Sequence, residues 1–323
     1  MTKTPVKTKV AAVFLLCALL VAQAPAPAIA ASARPADVKK AGKGNMLVKI
    51  SGTFESVGKS KILKRINEIR KEACAKGYIN PSTGKKLTSS DYVPIKWSAN
   101  LELVALLRAV ECTVNEGHTR PNGESCFSIM YGDEQSWAEN LAWNYSGMMQ
   151  GIEQWYSEKK DWVNQNPYAV TGHYTSLINP AYKFIGLGSF RRDTGGWYGV
   201  SAEFGSSIKG SQAKSTVKGK TVQVIEVKKS CVKKAKLNAP STIKVKKKKD
   251  LSVSRNIVYP GILGENNVSK EIITKGITWK SSKPSVLSVN KNGKITAKKA
   301  GKATITAKIK GVATLKKTIT VKK

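Results

Sequence analysis

From residue 59 onward the chain alternates amphipathic segments with polar turns. In "SKILKRINEIRKEACAKG", Ile62, Ile66, Ile69 and Ala73 recur at spacings of three and four, which predicts a helix with one apolar face that stops at Gly77. From about Asn100, Leu101, Val104, Leu107 and Val110 repeat every three residues and predict a second helix. The stretch "MMQGIEQWYSEKKDW", with Ile152, Trp155, Tyr156 and Trp162, predicts a third. Runs rich in β-branched and aromatic residues at 182–190 and 197–205 flank the polar turn "RRDTGG" and read as a β-hairpin. Residues 59–205 are therefore expected to form a mixed α and β domain.

Past Ser206 the texture changes to Lys, Ser, Thr and Val, with few large residues until Leu251. "GITWKSS", "SVLSVN", "KITAKK" and "KATITAKI" then alternate between turn signals, which predicts an all-β sandwich over 237–323 joined by a basic linker at 206–236. Residues 34–58 read as a basic lead-in with one strand, Met46 to Ile50. Residues 1–33 read as an export signal: Lys3, Lys7 and Lys9 precede the apolar run from Val10 to Ala22, and cleavage is expected after residue 30 or 33. That run falls short of the ~20 residues a membrane-spanning helix needs. Leu16, before Cys17, is too large for a lipoprotein cleavage site. The chain is expected to be secreted, with any attachment to the cell surface noncovalent.

Charge changes the picture only through its distribution. The 323 residues carry a formal charge of +34, of which +6 falls in 1–58, +2 in 59–205 and +26 in 206–323. The near absence of Arg and of stacking aromatics among the C-terminal lysines argues against nucleic acid as the partner. An anionic cell-wall polymer or membrane surface is the expected partner of this basic third, held by a long-range and salt-sensitive field. Cys74, Cys112, Cys126 and Cys231 remain after export and allow three pairings. A Cys112–Cys126 bridge would close a short loop, and free buried cysteines are the alternative. Neither pairing nor metal binding by cysteine has a spacing signature.

The two histidines, His118 and His173, sit in "GHTRPNG" and "TGHYTS". With "WAENLAW", "QWYSEKK", "TGHYTSLINPAYKFIGLGSF" and "GWYGVSAEFG" in order between and after them, and "NEIRKEA" and "PIKWSANLELVALLRAVE" ahead, residues 59–205 resemble the CAP superfamily of cysteine-rich secretory, antigen 5 and pathogenesis-related proteins, in its bacterial form. The resemblance implies an α+β fold, the CAP α-β-α sandwich, with a cleft lined by His118, Glu139, Glu158 and His173. It also implies lipid, sterol or peptide as ligands, and no single agreed reaction. Imidazoles from separate segments can bind a divalent ion, zinc first and calcium or magnesium as alternatives, while the carboxylates ligate or orient the rings. The plainer alternative is that His and Glu only hydrogen-bond one another. No organic cofactor is expected. Ala138 stands where the family has Gly, and Ser176 where many relatives have Gln. Glu116, Glu124, Asp133 and Glu134 lie near His118 and read as solvated loop charges.

Residues 237–323 are similar to bacterial Ig-like domains of group 2, which implies an all-β Ig-like sandwich with Trp279 as inward anchor and Gly293 and Gly301 at turns. The expected function is a secreted binding or interaction module at the cell envelope. A metal-dependent hydrolase of peptide or ester bonds, with Glu139 or Glu158 as catalytic base, is the enzymatic alternative; the missing nucleophile and H-E-x-x-H motif make it second. A structural adhesin with a vestigial cleft is the third.

Overall fold

The computed structural model describes residues 40–208, 212, 218–261, 264–273, 276–309 and 313–323. The expected export signal, with Cys17, lies outside them. The central sheet contains β1 (Asn45–Phe54), β2 (Ala138–Asn144), β3 (Phe184–Arg192), β4 (Tyr198–Gly205) and β5 (Gly219–Lys228), in the order β2-β4-β3-β1-β5, with Lys96–Trp97 added in parallel to β3. The expected hairpin is β3 and β4, antiparallel from Phe184↔Gly205 to Arg191↔Tyr198. The segments expected as lead-in and linker are not accessory: they supply β1 and β5, which pair over ten residues from Asn45↔Lys228 to Phe54↔Gly219.

Helices cover both faces. α1 (Lys59–Ala75), α3 (Met148–Ser157) and α5 (Gly172–Ile178) pack on one side, where Ile62, Ile66, Ile69, Trp155, Tyr174 and Ile178 meet Ile185, Leu187, Val200, Ala202 and Phe204. α2 (Ala99–Cys112) lies on the other, capped by the Ser98 side chain, which accepts from the Leu101 amide at 3.2 Å. Strand alternation sends Ile185 and Leu187 to the first face and Gly186 and Gly188 toward α2. The glycines permit the contact: a Cβ on Gly186 would lie 2.0 Å from the Glu102 backbone nitrogen. The third predicted helix is two, since Glu158 ends α3 and opens the short α4 (Lys159–Val163).

The C-terminal region is built of mostly antiparallel sheets. β6 (Lys236–Asn238), β7 (Ser252–Pro260) and β8 (Asn266–Ile273) form one, in the order β8-β7-β6. β9 (Ile277–Ser281), β10 (Gly301–Ile309) and β11 (Ala313–Lys322) form the second, with Thr242–Lys244 parallel to β11, and three short strands form a third. Leu251, Leu287, Ile295, Ile305, Ile319 and Val321 make its core, with half-buried Trp279 against it. Gly293, at φ +81°, leaves room for that indole: its Cβ would lie 2.8 Å from the ring.

The two regions share packing. Ile257 and Tyr259 of β7 belong to the same buried cluster as Val48, Ile50, Val110, Phe190 and Ile225 of the α2 side. β1 pairs β3 only over its last three residues, and along the edge left uncovered the Lys49 amide donates to Glu271 Oε1 of β8 at 3.0 Å. Ser269 Oγ donates to the Thr113 carbonyl at 3.3 Å. All four described cysteines are free thiols, so no Cys112–Cys126 bridge closes the loop between them. Among the described residues no helix is long and apolar enough to cross a membrane.

Candidate functional site

The His118 loop is fastened by its own polar groups. Arg120 N and Glu124 O pair at 2.9 Å, Gly123 N donates to Arg120 O, and Thr119 bridges to Ser125. Gly123 sits at φ +93°, in the left-handed region that a side chain resists. The Arg120 guanidinium reaches Glu111 Oε1 at 2.9 Å and Glu124 Oε2 at 2.9 Å, anchoring the loop to the end of α2. With this frame in place the His118 side chain stands 54% exposed while its Nδ1 lies 2.8 Å from Glu139 Oε1, which is fully buried.

Glu139 is held by more than His118. Arg108, itself buried on α2, donates from Nε to Oε2 at 2.5 Å and from Nη2 to Oε1 at 3.2 Å, and reaches Glu111 Oε2 through Nη1 at 2.9 Å. Burial would raise the Glu139 pKa, but the Arg108 charge and the hydrogen bonds from His118 and Arg108 outweigh it and bring it down to about 2. An ionised carboxylate only accepts, so His118 Nδ1 is the donor, and in the neutral ring the lone pair sits on Nε2. Glu203, the cross-strand partner of Glu139, is buried too, with Ser201 Oγ donating to its Oε1 at 2.7 Å. Burial, then the Glu139 charge, pushes the Glu203 carboxyl well up, so it is the neutral member of the pair. Cys126 lies alongside: His118, Cys126 and Glu139 offer donor atoms all within 4.8 Å of one another, and burial, then both glutamates, hold the thiol protonated.

The second pair forms beside the same strand, β2, which ends the sheet. Glu158, at the break between α3 and α4, accepts the His173 and Tyr174 amides on Oε2 at 3.0 and 3.1 Å and meets His173 Nδ1 with Oε1 at 2.5 Å. One carboxylate therefore satisfies the first amides of α5 and fixes the ring it carries. Successive residues of a strand point to opposite faces, so Glu139 serves His118 on the α2 side while Asn140 Nδ2 donates to the His173 carbonyl at 2.9 Å on the other. The "AEN" tripeptide thus grips both histidine segments from one edge strand.

Each imidazole has its Nδ1 bound to a carboxylate, which leaves Nε2 for a metal, an arrangement common around divalent ions in proteins. Glu139 and Glu158 orient the two rings. Glu158 and His173 are not part of the three-donor grouping with Cys126. Arg108, Cys126 and Glu203 were missed from sequence; an arginine inside the apolar run "ELVALLRAVE" was the available signal. Of the neighbouring acids, Glu124 is tied to Arg120, Asp133 is exposed, and Glu134, against expectation, is buried and accepts from Gln212 at 2.8 Å. Ser176 turns into its own helix, donating to Gly172 O at 2.9 Å.

The sequence model of the cysteine-rich secretory protein family, CAP, matches residues 63–202. Venom allergen 5.02 of Dolichovespula maculata is 24% identical over 161 residues, covering 48% of this chain and 73% of the allergen. Venom allergen 5 of Vespa mandarinia is 26% identical over 160 residues, covering 48% and 76%. An intimin mutant of EHEC O157:H7 superposes with a TM-score of 0.18 at 15% identity over 28% of this chain and 46% of its own, too slight a likeness to carry any inference. Over residues 63–202 the chain is thus similar to CAP domains, the venom allergens among them.

Proposed function

With the likeness to CAP domains over residues 63–202 as premise, we propose that the protein is an extracellular binding module that holds a divalent cation between His118 and His173. The observation that carries this reading is that both histidines of the chain present Nδ1 to a carboxylate and keep Nε2 available. When bound, the ion would supply a Lewis-acidic point to which a ligand's oxygen could attach. Glu139 and Glu158 orient the rings, and Arg108 keeps Glu139 ionised. Lipid, sterol or peptide is the ligand class; a recess of about 360 Å³ lined by Val57, Ile62, Trp97, Leu106, Met148 and Leu187 together with the charged Glu55, Lys59 and Glu102 offers both apolar and polar contacts to such a ligand. The hydrolase reading has less support, because Glu139 is saturated by Arg108 and His118 and the Cys126 thiol is buried and protonated.

The C-terminal third, carrying +26, would dock on an anionic wall polymer or membrane surface. The tests are separate. Calorimetric titration of zinc should show uptake by the full chain and its loss in His118→Ala/His173→Ala; equal uptake by both would remove the metal site. Retention on isolated walls should fall steeply across a salt series, and salt-independent retention would contradict an electrostatic anchor.

A further inference from the structure

We propose that Tyr259, in β7 of the C-terminal region, is a positioning residue for His118, so that the candidate site is completed by residues outside the CAP-matched stretch. Its phenolic hydroxyl donates to the carbonyl of Pro121, in the middle of "GHTRPNG". The same carbonyl accepts the Lys228 amide at 3.0 Å, and that amide also reaches the Tyr259 oxygen at 3.2 Å. Three groups from the loop, β5 and β7 therefore meet at one point, three residues from His118. Pro121 has no amide of its own, so its carbonyl is the loop's one backbone handle there.

The rest of the seam makes this contact a fixed one. The Tyr259 ring and Ile257 are buried in the core shared with Val48 and Val227, the Lys233 amide donates to Asn256 O at 2.8 Å, and Val232 bridges to Ile257. Asn122, next to Pro121, is tied through Nδ2 to Glu226 Oε2 of β5 at 3.2 Å. The Lys228 chain also lies over Gly123, where a Cβ would come within 2.3 Å of it. On the outer side, His118 opens onto a pocket of about 350 Å³ whose walls are Glu116 and Arg120 from the loop and Lys228, Cys231 and Tyr259 from beyond residue 205. The histidine that sequence assigns to the CAP domain is thus held, and its surroundings walled, by the segment expected to be linker and tail. A loop tied at both Arg120 and Pro121 keeps its imidazole pointed at Glu139; without the Tyr259 hydroxyl the Pro121 carbonyl keeps only the Lys228 amide, and this side of the loop is held more loosely.

The experiment uses the full chain in three forms: wild type, Tyr259→Phe, which removes only the hydroxyl, and Ile257→Val, which trims the same seam without touching the loop. Amide hydrogen exchange is read at Arg120, Gly123 and Lys228. Loss of one hydrogen bond predicts roughly five- to tenfold faster exchange at these amides in Tyr259→Phe. Ile257→Val should leave them unchanged once both variants are compared at equal global stability. Unchanged exchange in Tyr259→Phe, or equal acceleration in Ile257→Val, would overturn the assignment. Zinc affinity, the second readout, rests on the metal reading and should fall in Tyr259→Phe and not in Ile257→Val. If no form binds zinc, the metal reading fails while the exchange result still decides the role of Tyr259.

Discussion

Replacing Arg108 by Met leaves two buried carboxylates without their shared cation. Arg108 and Glu139 have fully buried side chains, as does Glu111, and the guanidinium also donates from Nη2 to the Gly117 carbonyl at 2.9 Å, just before His118. Breaking a buried pair from one side costs roughly 3–5 kcal/mol. The Glu139 carboxyl points the same way: although burial raises it, the Arg108 charge, with the hydrogen bonds from His118 and Arg108, brings it down to about 2. A group whose folded pKa is depressed contributes stability above its unfolded pKa, and that contribution disappears as pH falls through the folded value. The wild type should therefore keep this contribution at pH 7 and lose it between about pH 4 and pH 2. Urea unfolding of wild type and Arg108→Met at pH 7 should differ by about 3 kcal/mol or more, and the gap should narrow toward pH 2. A difference under about 1 kcal/mol at pH 7, or one that does not change with pH, would show that Arg108 does not hold Glu139 ionised.

Three further outcomes are expected. Glu203→Gln should stabilise the protein increasingly as pH rises from about 5, because a carboxyl with a raised folded pKa takes up a proton on folding and its cost grows with pH; urea midpoints across pH check it. Glu158→Ala should cost about 2 kcal/mol in thermal or urea unfolding, since it removes a partner of His173 and two amide bonds at the start of α5. Gly186→Ala should cost about 3 kcal/mol, because its Cβ would meet the backbone of Leu101 and Glu102, which yields only by lifting α2; a loss below ~1 kcal/mol would contradict that contact.

The helices were legible because their apolar residues keep a strict three-and-four spacing, and α1, α2 and the β3–β4 hairpin form where that pattern places them. β5 was not, because valines stand on both parities of "TVQVIEV": Val227 and Ile225 enter the core while Val222 is 51% exposed. Read locally, that mixture resembles a basic linker; only its partner β1, more than 160 residues earlier, makes it a strand. The two His–Glu pairs were legible as ordered motifs. Arg108 and Glu203 were not, since an ion pair between a helix and a strand has no sequence spacing. Tyr259 is the extreme case, 138 residues from the carbonyl it binds.

In the proposed site His118 and His173 present their Nε2 atoms to one divalent ion. X-ray absorption at the zinc edge, on the full chain loaded with one equivalent of zinc, tests it most directly. Two imidazoles should appear in the outer-shell scattering, falling to one in His173→Ala, with no sulfur in the inner shell. Zinc bound with a sulfur neighbour from Cys126, or imidazole scattering unchanged by His173→Ala, would contradict it.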